Sequence, residues 1–287
     1  GIRDHAEDAR EVLTAAGYES ADVILGHSQG VQVALEFAAI FPDAVQAMVL
    51  LNGSHGQVFT TGFQPVFRIP FLGDATACLV DYLVRKPWLL SQARKNVLLP
   101  WLNLTIPIYT RVFGSKALMA MDEPFGPSYL LNFFNNYTGR MDVSDGANNN
   151  FRQFLMNFQE LNAHSVYHLL EHIEVPILCV SGLLDVFTPA MMMFEMKRRL
   201  PNARHWCDPF STHATLLERP ERTLEEIDAF MDEFVPRYKR QSSDRWDRRS
   251  GSTPRASDAN GDANGGANGG ASGRPFPLEG EGVKKDN

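Results

Sequence analysis

Apolar residues near the start of the chain follow two different spacings. Between residues 2 and 16 they recur at every third or fourth position, which predicts one face of a helix that stops at Gly17. The runs ADVILGH (21–27) and AVQAMVLLNGS (44–54) are short and almost continuously apolar, as in buried parallel strands. GVQVALEFAAIF (30–41) lies between them and has helical spacing. Strand, helix and strand in this order predict an α/β fold with a mostly parallel sheet.

The same alternation returns in the second half of the chain. VPILCVSG (175–182) and ARHWCDPF (203–210) are predicted strands, and MMMFEMKRRL (191–200) and PERTLEEIDAFMDEFV (220–235) are predicted helices. FRQFLMNFQELNAHSVYHLLEHI (151–173) is predicted to form a helical stretch.

That last stretch carries three histidines at four-residue steps, His164, His168 and His172, which a helix would place on one face. Histidines at this spacing can bind a metal ion, but no fourth ligand accompanies them at a spacing typical of metal sites. A packed or half-exposed helix face is therefore the preferred interpretation, and no metal site is predicted.

These patterns divide the chain into four parts. Residues 1–54 and 151–236 are predicted to form the two halves of one α/β core. Residues 55–150 do not continue the alternation of strands and helices. They show aromatic, proline-rich and helical patterns instead, which indicates an inserted helical cap or lid. Residues 237–287 are rich in Asp, Asn, Gly and Ser, and we expect a disordered low-complexity tail there.

Composition excludes several kinds of partner. The net charge of −7 offers no general basic field, so nucleic acid is not an expected partner. The three cysteines are widely spaced, which predicts neither a disulfide framework nor a zinc site. The apolar run NVLLPWLNLTIPIYT (96–110) contains two prolines and is too short to span a bilayer. No leader sequence is visible, and the cellular location is left open, with a cytoplasmic location favoured.

The sequence Gly26-His27-Ser28-Gln29-Gly30 joins the first predicted strand to the next helix. In such a strand–turn–helix context, Gly-x-Ser-x-Gly forms a sharp elbow that exposes the serine. Gly26 and Gly30 would let the strand and helix backbones pass closely, and the backbone N–H of Gln29 would donate to an oxyanion. The alternative is a Gly/Ser turn without chemistry.

Two further candidates follow the strands of the second half. Asp185 lies in SGLLDVFTP (181–189), at the carboxyl end of a predicted strand, where α/β sheets place their sites. His213 follows the last predicted strand. The order Ser28, Asp185, His213 matches the Ser…Asp/Glu…His order of one hydrolase superfamily. Asp185 could instead only cap a turn, and His213 could be an ordinary surface or core histidine.

The segments GHSQG (26–30), GLLDVFTP (182–189) and THATLLERPE (212–221) together resemble the α/β-hydrolase superfamily, in its capped lipase, esterase and peroxidase-like branch. The resemblance covers residues 1–54 and 155–235. It implies an α/β-hydrolase fold that works without a cofactor.

By this resemblance Ser28 is the nucleophile, His213 the general base, and Asp185 the residue that orients the imidazole. Haloalkane dehalogenases and epoxide hydrolases of the superfamily attack with an aspartate, so a serine implies acyl transfer through an acyl-enzyme. Thr212 departs from the glycine that relatives often carry before the histidine.

The expected reaction is hydrolysis of a small hydrophobic ester, because the predicted cap is apolar. The same cap could make transient contact with a lipid surface. Two alternatives stay open. A cofactor-free haloperoxidase or carbon–carbon bond hydrolase would use the same three residues, and a non-catalytic or inactive binding protein would have the fold alone.

Few residues precede Ser28, enough for one helix and one strand, whereas relatives carry several strands and a second oxyanion donor before the elbow. The resemblance therefore implies that the chain lacks the N-terminal strands of the fold. We expect a chain without them to fold poorly, because the strand of Ser28 would have an unpaired edge, and to have weak or no activity, since one oxyanion donor is worth about 10²- to 10³-fold in rate.

Overall fold

The structure is a computed structural model that describes residues 1–62, 66, 69–114, 116–120 and 150–235. Its strands are β1 (Ala21–His27), β2 (Val45–Leu51), β3 (Ile177–Gly182) and β4 (Ala203–Asp208). Its helices in chain order are α1 (Ile2–Ala15), α2 (Gln29–Ile40), α3 (Val58–Thr61), α4 (Leu72–Val84), α5 (Pro87–Ala93), α6 (Leu99–Phe113), α7 (Lys116–Ala120), α8 (Asn150–Ala163), α9 (Ala190–Arg199), α10 (Thr215–Glu218) and α11 (Pro220–Phe234). Short 3-10 helices cover Pro42–Ala44 and Tyr167–His172, and a π-helical turn, Arg94–Leu98, joins α5 to α6.

The described strands form one sheet in the order β1-β2-β3-β4, and every neighbouring pair is parallel. Leu50 of β2 is aligned with Gly26 of β1 and with Cys179 of β3. Parallel neighbours need a crossover, and α2 and α9 supply those from β1 to β2 and from β3 to β4. The predicted α/β class and parallel sheet are confirmed.

Both faces of the sheet are buried, which explains the continuous apolar runs of its central strands. On β2, Met48 and Leu50 pack with Leu35 of α2 on one face. The alternate residues, Val49 among them, pack with Phe230 of α11 on the other face. Side chains alternate across a strand, so β2 joins two helical layers into one sandwich.

Between residues 58 and 120 the described part of the segment between β2 and β3 forms helices α3 to α7 and the π-helical turn, joined by short turns. Helix α8, whose sequence was assigned to the second half of the core, packs Phe151 against Leu90 of α5. This contact places α8 beside the intervening helices. Residues 121–149 of that segment and the predicted tail, 237–287, lie outside the described residues.

The expected helical stretch over 151–173 is interrupted, and the prediction that it carries three histidines on one face is wrong. Helix α8 ends at Ala163, and the chain resumes as a 3-10 helix at Tyr167. The imidazole of His164 lies instead against α2, with Nδ1 3.0 Å from Gln32 Oε1 and Nε2 3.1 Å from Glu36 Oε2. The helix ends at this point, where the carbonyl oxygen of His164 accepts from the backbone N–H of Gln57 at 3.2 Å. Within the described part of the chain no cluster of His, Cys, Asp and Glu could hold a metal ion.

Candidate active site

Ser28 occupies the sharp turn between β1 and α2 with an unusual backbone conformation, φ 55° and ψ −116°. A residue with a side chain rarely adopts a positive φ, and such strain costs about 1–3 kcal/mol. The backbone N–H of Ser28 donates to the carbonyl of Leu51 on the neighbouring strand at 2.9 Å. The turn is thus held at the carboxyl edge of the sheet, where its side chain projects toward the loops that follow β3 and β4.

The backbones around this turn approach closely, although the two motif glycines contribute differently. A Cβ on Gly26 would lie 2.5 Å from the carbonyl oxygen of Gly30, so only glycine fits at 26. A Cβ on Gly30 would meet nothing within 4 Å, so steric contact does not require a glycine at this position. Gly53, which sequence reasoning did not place in the elbow, does require it, because a Cβ there would collide with Val31.

Three side chains from three loops form a continuous hydrogen-bonded line. Ser28 Oγ lies 3.0 Å from His213 Nε2, and His213 Nδ1 lies 2.9 Å from Asp185 Oδ2. A buried carboxylate accepts only, so Nδ1 carries the proton and Nε2 is free to accept from the serine hydroxyl. The structure therefore brings together the three residues that the sequence singled out, although 185 positions separate Ser28 from His213.

Asp185 is 3% exposed, and every hydrogen bond around it favours the charged form. Its Oδ1 accepts the backbone N–H groups of Phe187 and Thr188, at 2.9 and 3.0 Å. Its Oδ2 accepts the Thr188 hydroxyl at 2.8 Å as well as the His213 ring. Burial alone would raise the pKa of Asp185, but the His213 charge and these hydrogen bonds outweigh it and hold that pKa below its ordinary value.

Asn52 is a part of the site that sequence reasoning missed. It follows β2 directly, has φ 46°, and is fully buried. Its side-chain N–H₂ donates to Asp185 Oδ2 and to the carbonyl oxygen of Thr212, both at 3.1 Å. One amide thereby ties the loop of the carboxylate to the loop of the histidine. Its position immediately after a buried strand, at the same sheet edge as Asp185, was the available signal.

The histidine loop is fixed from two further directions. Thr212, the departure from the glycine of relatives, donates its backbone N–H to the buried carboxylate of Glu218 at 3.0 Å, and its hydroxyl bonds to the same group. The ring of His27, next to the serine, lies with Nε2 3.0 Å from the carbonyl oxygen of His213. Because a carbonyl only accepts, His27 donates there, and the backbone at 213 is held beside the elbow.

Gln29 is the first residue of α2, so its backbone N–H has no acceptor within the helix. N–H groups at a helix start point outward at the positive end of the helix dipole. An oxygen that carries negative charge next to Ser28 would lie in this field. The arrangement can therefore deprotonate a hydroxyl and stabilise an adjacent oxyanion.

The comparison with known families decides what this arrangement belongs to. A sequence model of the α/β-hydrolase fold matches residues 1–220, which is most of the chain. The chain belongs to the α/β-hydrolase family. In this α/β-hydrolase the elbow, the carboxylate and the histidine all fall within the matched residues.

Individual relatives of this α/β-hydrolase are distant. Homoserine O-acetyltransferase of Chloroherpeton thalassium is 25% identical over 251 residues, which cover 83% of this chain and 63% of that protein. Epoxide hydrolase 3 of Mus musculus is 24% identical over 92 residues, 28% of this chain and 25% of that protein. The chain thus spans less than two thirds of the length of either relative.

Solved structures agree with the family at the level of the fold. Est816, described as an N-acyl homoserine lactone degrading enzyme, superposes with a TM-score of 0.53 at 20% identity, covering 80% of this chain and 74% of that one. MGS-M2, an α/β-hydrolase from a Medee basin deep-sea metagenome, gives 0.51 at 22% identity over 79% and 70% of the two chains. Identities this low show a shared fold only.

Proposed function

We propose that this α/β-hydrolase is a serine hydrolase that cleaves carboxylic esters with hydrophobic groups through an acyl-enzyme. The observation that supports it most is the hydrogen-bonded line from Ser28 through His213 to Asp185. A serine hydroxyl is a weak nucleophile until a neighbouring base removes its proton. A turn or a cap alone would not need a base, an orienting carboxylate and a strained serine at the same point.

In the proposed first step, Ser28 Oγ attacks the ester carbonyl carbon while its proton moves to His213 Nε2. The carbonyl oxygen becomes an oxyanion next to the N–H of Gln29. When the tetrahedral intermediate collapses, His213 returns the proton to the departing alkoxide, and the acyl group stays on Ser28.

The second step repeats this chemistry with water. His213 takes a proton from the water that attacks the acyl-enzyme, and then gives it to Ser28 Oγ as the carboxylic acid leaves. Asp185 keeps the proton on Nδ1 throughout and stabilises the imidazolium that forms in each half. Asn52 and Thr188 are positioning residues, since they hold that carboxylate.

An aromatic side chain beside the general base, His213, supports the proposed preference for an apolar substrate. The ring of Phe187 lies 5.4 Å from the ring of His213, centroid to centroid. Apolar groups close to the reacting atoms favour a hydrocarbon chain over a charged one.

Acyl transfer to a hydroxyl group is the second candidate. The similarity to homoserine O-acetyltransferase over 83% of this chain favours it. Both reactions share the acyl-enzyme and differ only in whether water or an alcohol attacks it. Adding homoserine to the assay separates them, because a transferase would form the acylated alcohol faster than the free acid.

The test is hydrolysis of p-nitrophenyl esters from acetate to octanoate by the protein and two matched variants. We expect Ser28→Ala to lose about 10³-fold or more in kcat. Ser20→Ala, in the loop before β1, should keep full activity. Turnover that survives in Ser28→Ala would overturn the proposal. Halogenation or carbon–carbon cleavage without ester hydrolysis would favour the other chemistries of this fold. A folded protein whose Ser28 does not react with a fluorophosphonate would favour a binding role.

A further inference from the structure

One segment of the chain differs sharply in charge from the rest. Residues 82–120, here called the cationic segment, contain six Lys and Arg residues and no Asp or Glu, in a chain with a net charge of −7. Arg94 is buried, whereas the other five side chains are exposed, namely Arg85, Lys86, Lys95, Arg111 and Lys116. Arg85 is ion-paired with Asp81, which directly precedes the segment, so the local positive field comes chiefly from the other four exposed cations.

The same segment exposes an unusual amount of apolar surface. Along α6 the side chains of Trp101, Leu104, Ile108 and Val112 are 58%, 65%, 56% and 65% exposed. Their steps of three, four and four residues place them on one helix face, here called the apolar stripe. Leu102, Ile106 and Thr110 are buried on the opposite face.

The exposed residues of the preceding turns extend this character. Trp88 on α5 is 75% exposed, and Val97 in the π-helical turn, one helical step before Trp101, is 66% exposed. Soluble surfaces rarely leave so many large apolar side chains in water along one helix. Arg111, beside Val112, adds positive charge directly to the stripe.

An exposed apolar face with tryptophan, in a segment whose charged residues are all positive, has the composition of a helix that lies in the plane of a membrane interface. Tryptophan prefers the headgroup level, and Lys and Arg are attracted to anionic headgroups. Within the described residues no helix is long and apolar enough to cross a membrane, so the contact would be peripheral.

We propose that the apolar stripe of α6 docks in the plane of an anionic lipid bilayer, with the exposed cations of the cationic segment on the headgroups. A second copy fits less well, because two such segments would bring like charges face to face. Nucleic acid fits less well too, because aliphatic side chains make no contacts with phosphates. Docking requires no chemistry at Ser28, so it is tested apart from the proposed reaction.

The first experiment is co-sedimentation of the protein with vesicles of phosphatidylcholine alone and of equimolar phosphatidylcholine and phosphatidylglycerol. We expect binding to the anionic vesicles, weakened by salt. The double variant Leu104→Ser, Ile108→Ser should lower the affinity for the anionic vesicles at least about tenfold, because the stripe then buries less apolar area in the bilayer. Val12→Ser with Tyr18→Ser, also exposed apolar residues, should bind like the unchanged protein.

Two further variants separate charge from hydrophobicity. Arg111→Gln with Lys116→Gln should weaken binding to anionic vesicles by roughly fivefold per charge and leave any binding to neutral vesicles unchanged. On binding to the anionic vesicles, the tryptophan fluorescence of the protein should shift to shorter wavelength. Trp101→Phe should remove most of that shift. Thermal melts that match the unchanged protein show that each variant is folded.

The proposal is overturned if anionic vesicles do not bind the protein, or if the stripe variant binds as well as the Val12 and Tyr18 control. A concentration-dependent dimer that the stripe variant abolishes would assign the surface to a second copy instead. Failure of either kind leaves the ester-hydrolysis assays unchanged, so it is distinguishable from failure of the proposed function.

Discussion

Replacing Ser28 by glycine should give a more stable protein than replacing it by alanine. Both substitutions remove the hydroxyl and its hydrogen bond to His213, so their difference reports the backbone alone. Ser28 has φ 55° and ψ −116°, which strains any residue with a Cβ. Glycine adopts this conformation freely, so Ser28→Gly relieves strain that Ser28→Ala retains.

The expected size follows from two opposing effects. Relief of strain contributes about 1–3 kcal/mol, and the greater freedom of glycine in the unfolded chain subtracts roughly 0.4–1 kcal/mol. Taking the midpoints of these ranges, Ser28→Gly is expected to unfold with a free energy about 1.3 kcal/mol above that of Ser28→Ala. For a chain of this size that difference corresponds to a Tm difference of roughly 3–5 °C.

Denaturant titrations and thermal melts of both variants measure this difference. The control pair is Ser20→Gly and Ser20→Ala, because Ser20 is not among the non-glycine residues with positive φ. There the order should reverse, with alanine more stable than glycine. Equal stabilities at position 28, or a more stable Ser28→Ala, would refute the reasoning that the elbow is strained.

Three further outcomes are expected. Burial raises the pKa of Cys179 to about 12, so iodoacetamide near neutral pH should modify the exposed Cys78 and reach Cys179 only after unfolding; early modification of Cys179 would contradict this. The folded pKa of Asp185 lies below its ordinary 3.8, so its carboxylate stabilises the fold above 3.8 and this contribution is lost as pH falls through the folded pKa. In Asp185→Asn the free energy of unfolding should fall less steeply as the pH is lowered. If the pH–stability curves of this variant and the unchanged protein superimpose, the Asp185 carboxylate makes no such contribution. Asn52→Ala should lower kcat on esters by about tenfold with KM little changed, because a charge-assisted hydrogen bond to Asp185 is lost; an unchanged kcat would show that the amide does not position the carboxylate.

Much of the core could be predicted because its signals are local. An almost continuous apolar run such as 44–51 fits an element buried on both faces, and β2 proves to be one. The Gly-rich turn around Ser28 and the loops of Asp185 and His213 follow predicted strands. In a parallel sheet such loops gather at one edge, as the structure shows.

What could not be predicted depends on partners remote in sequence. Asn52 donates to Asp185 across 133 positions; its place after a buried strand indicates the sheet edge, but not this partner. His164 continues a helical pattern in the sequence, yet its ring is held by Gln32 and Glu36 of another helix. Gly53 fits the elbow only because Val31 lies against it. In each case tertiary contacts override the local pattern.

The central claim is that Ser28 is a nucleophile that His213 activates, and covalent labelling tests it most directly. The protein is treated with a fluorophosphonate, and the modified peptide is identified by mass spectrometry. One adduct is expected on Ser28, formed much more slowly in His213→Ala and absent in Ser28→Ala, while Ser20→Ala labels normally. No adduct on Ser28, or equal labelling rates with and without His213, would contradict the account.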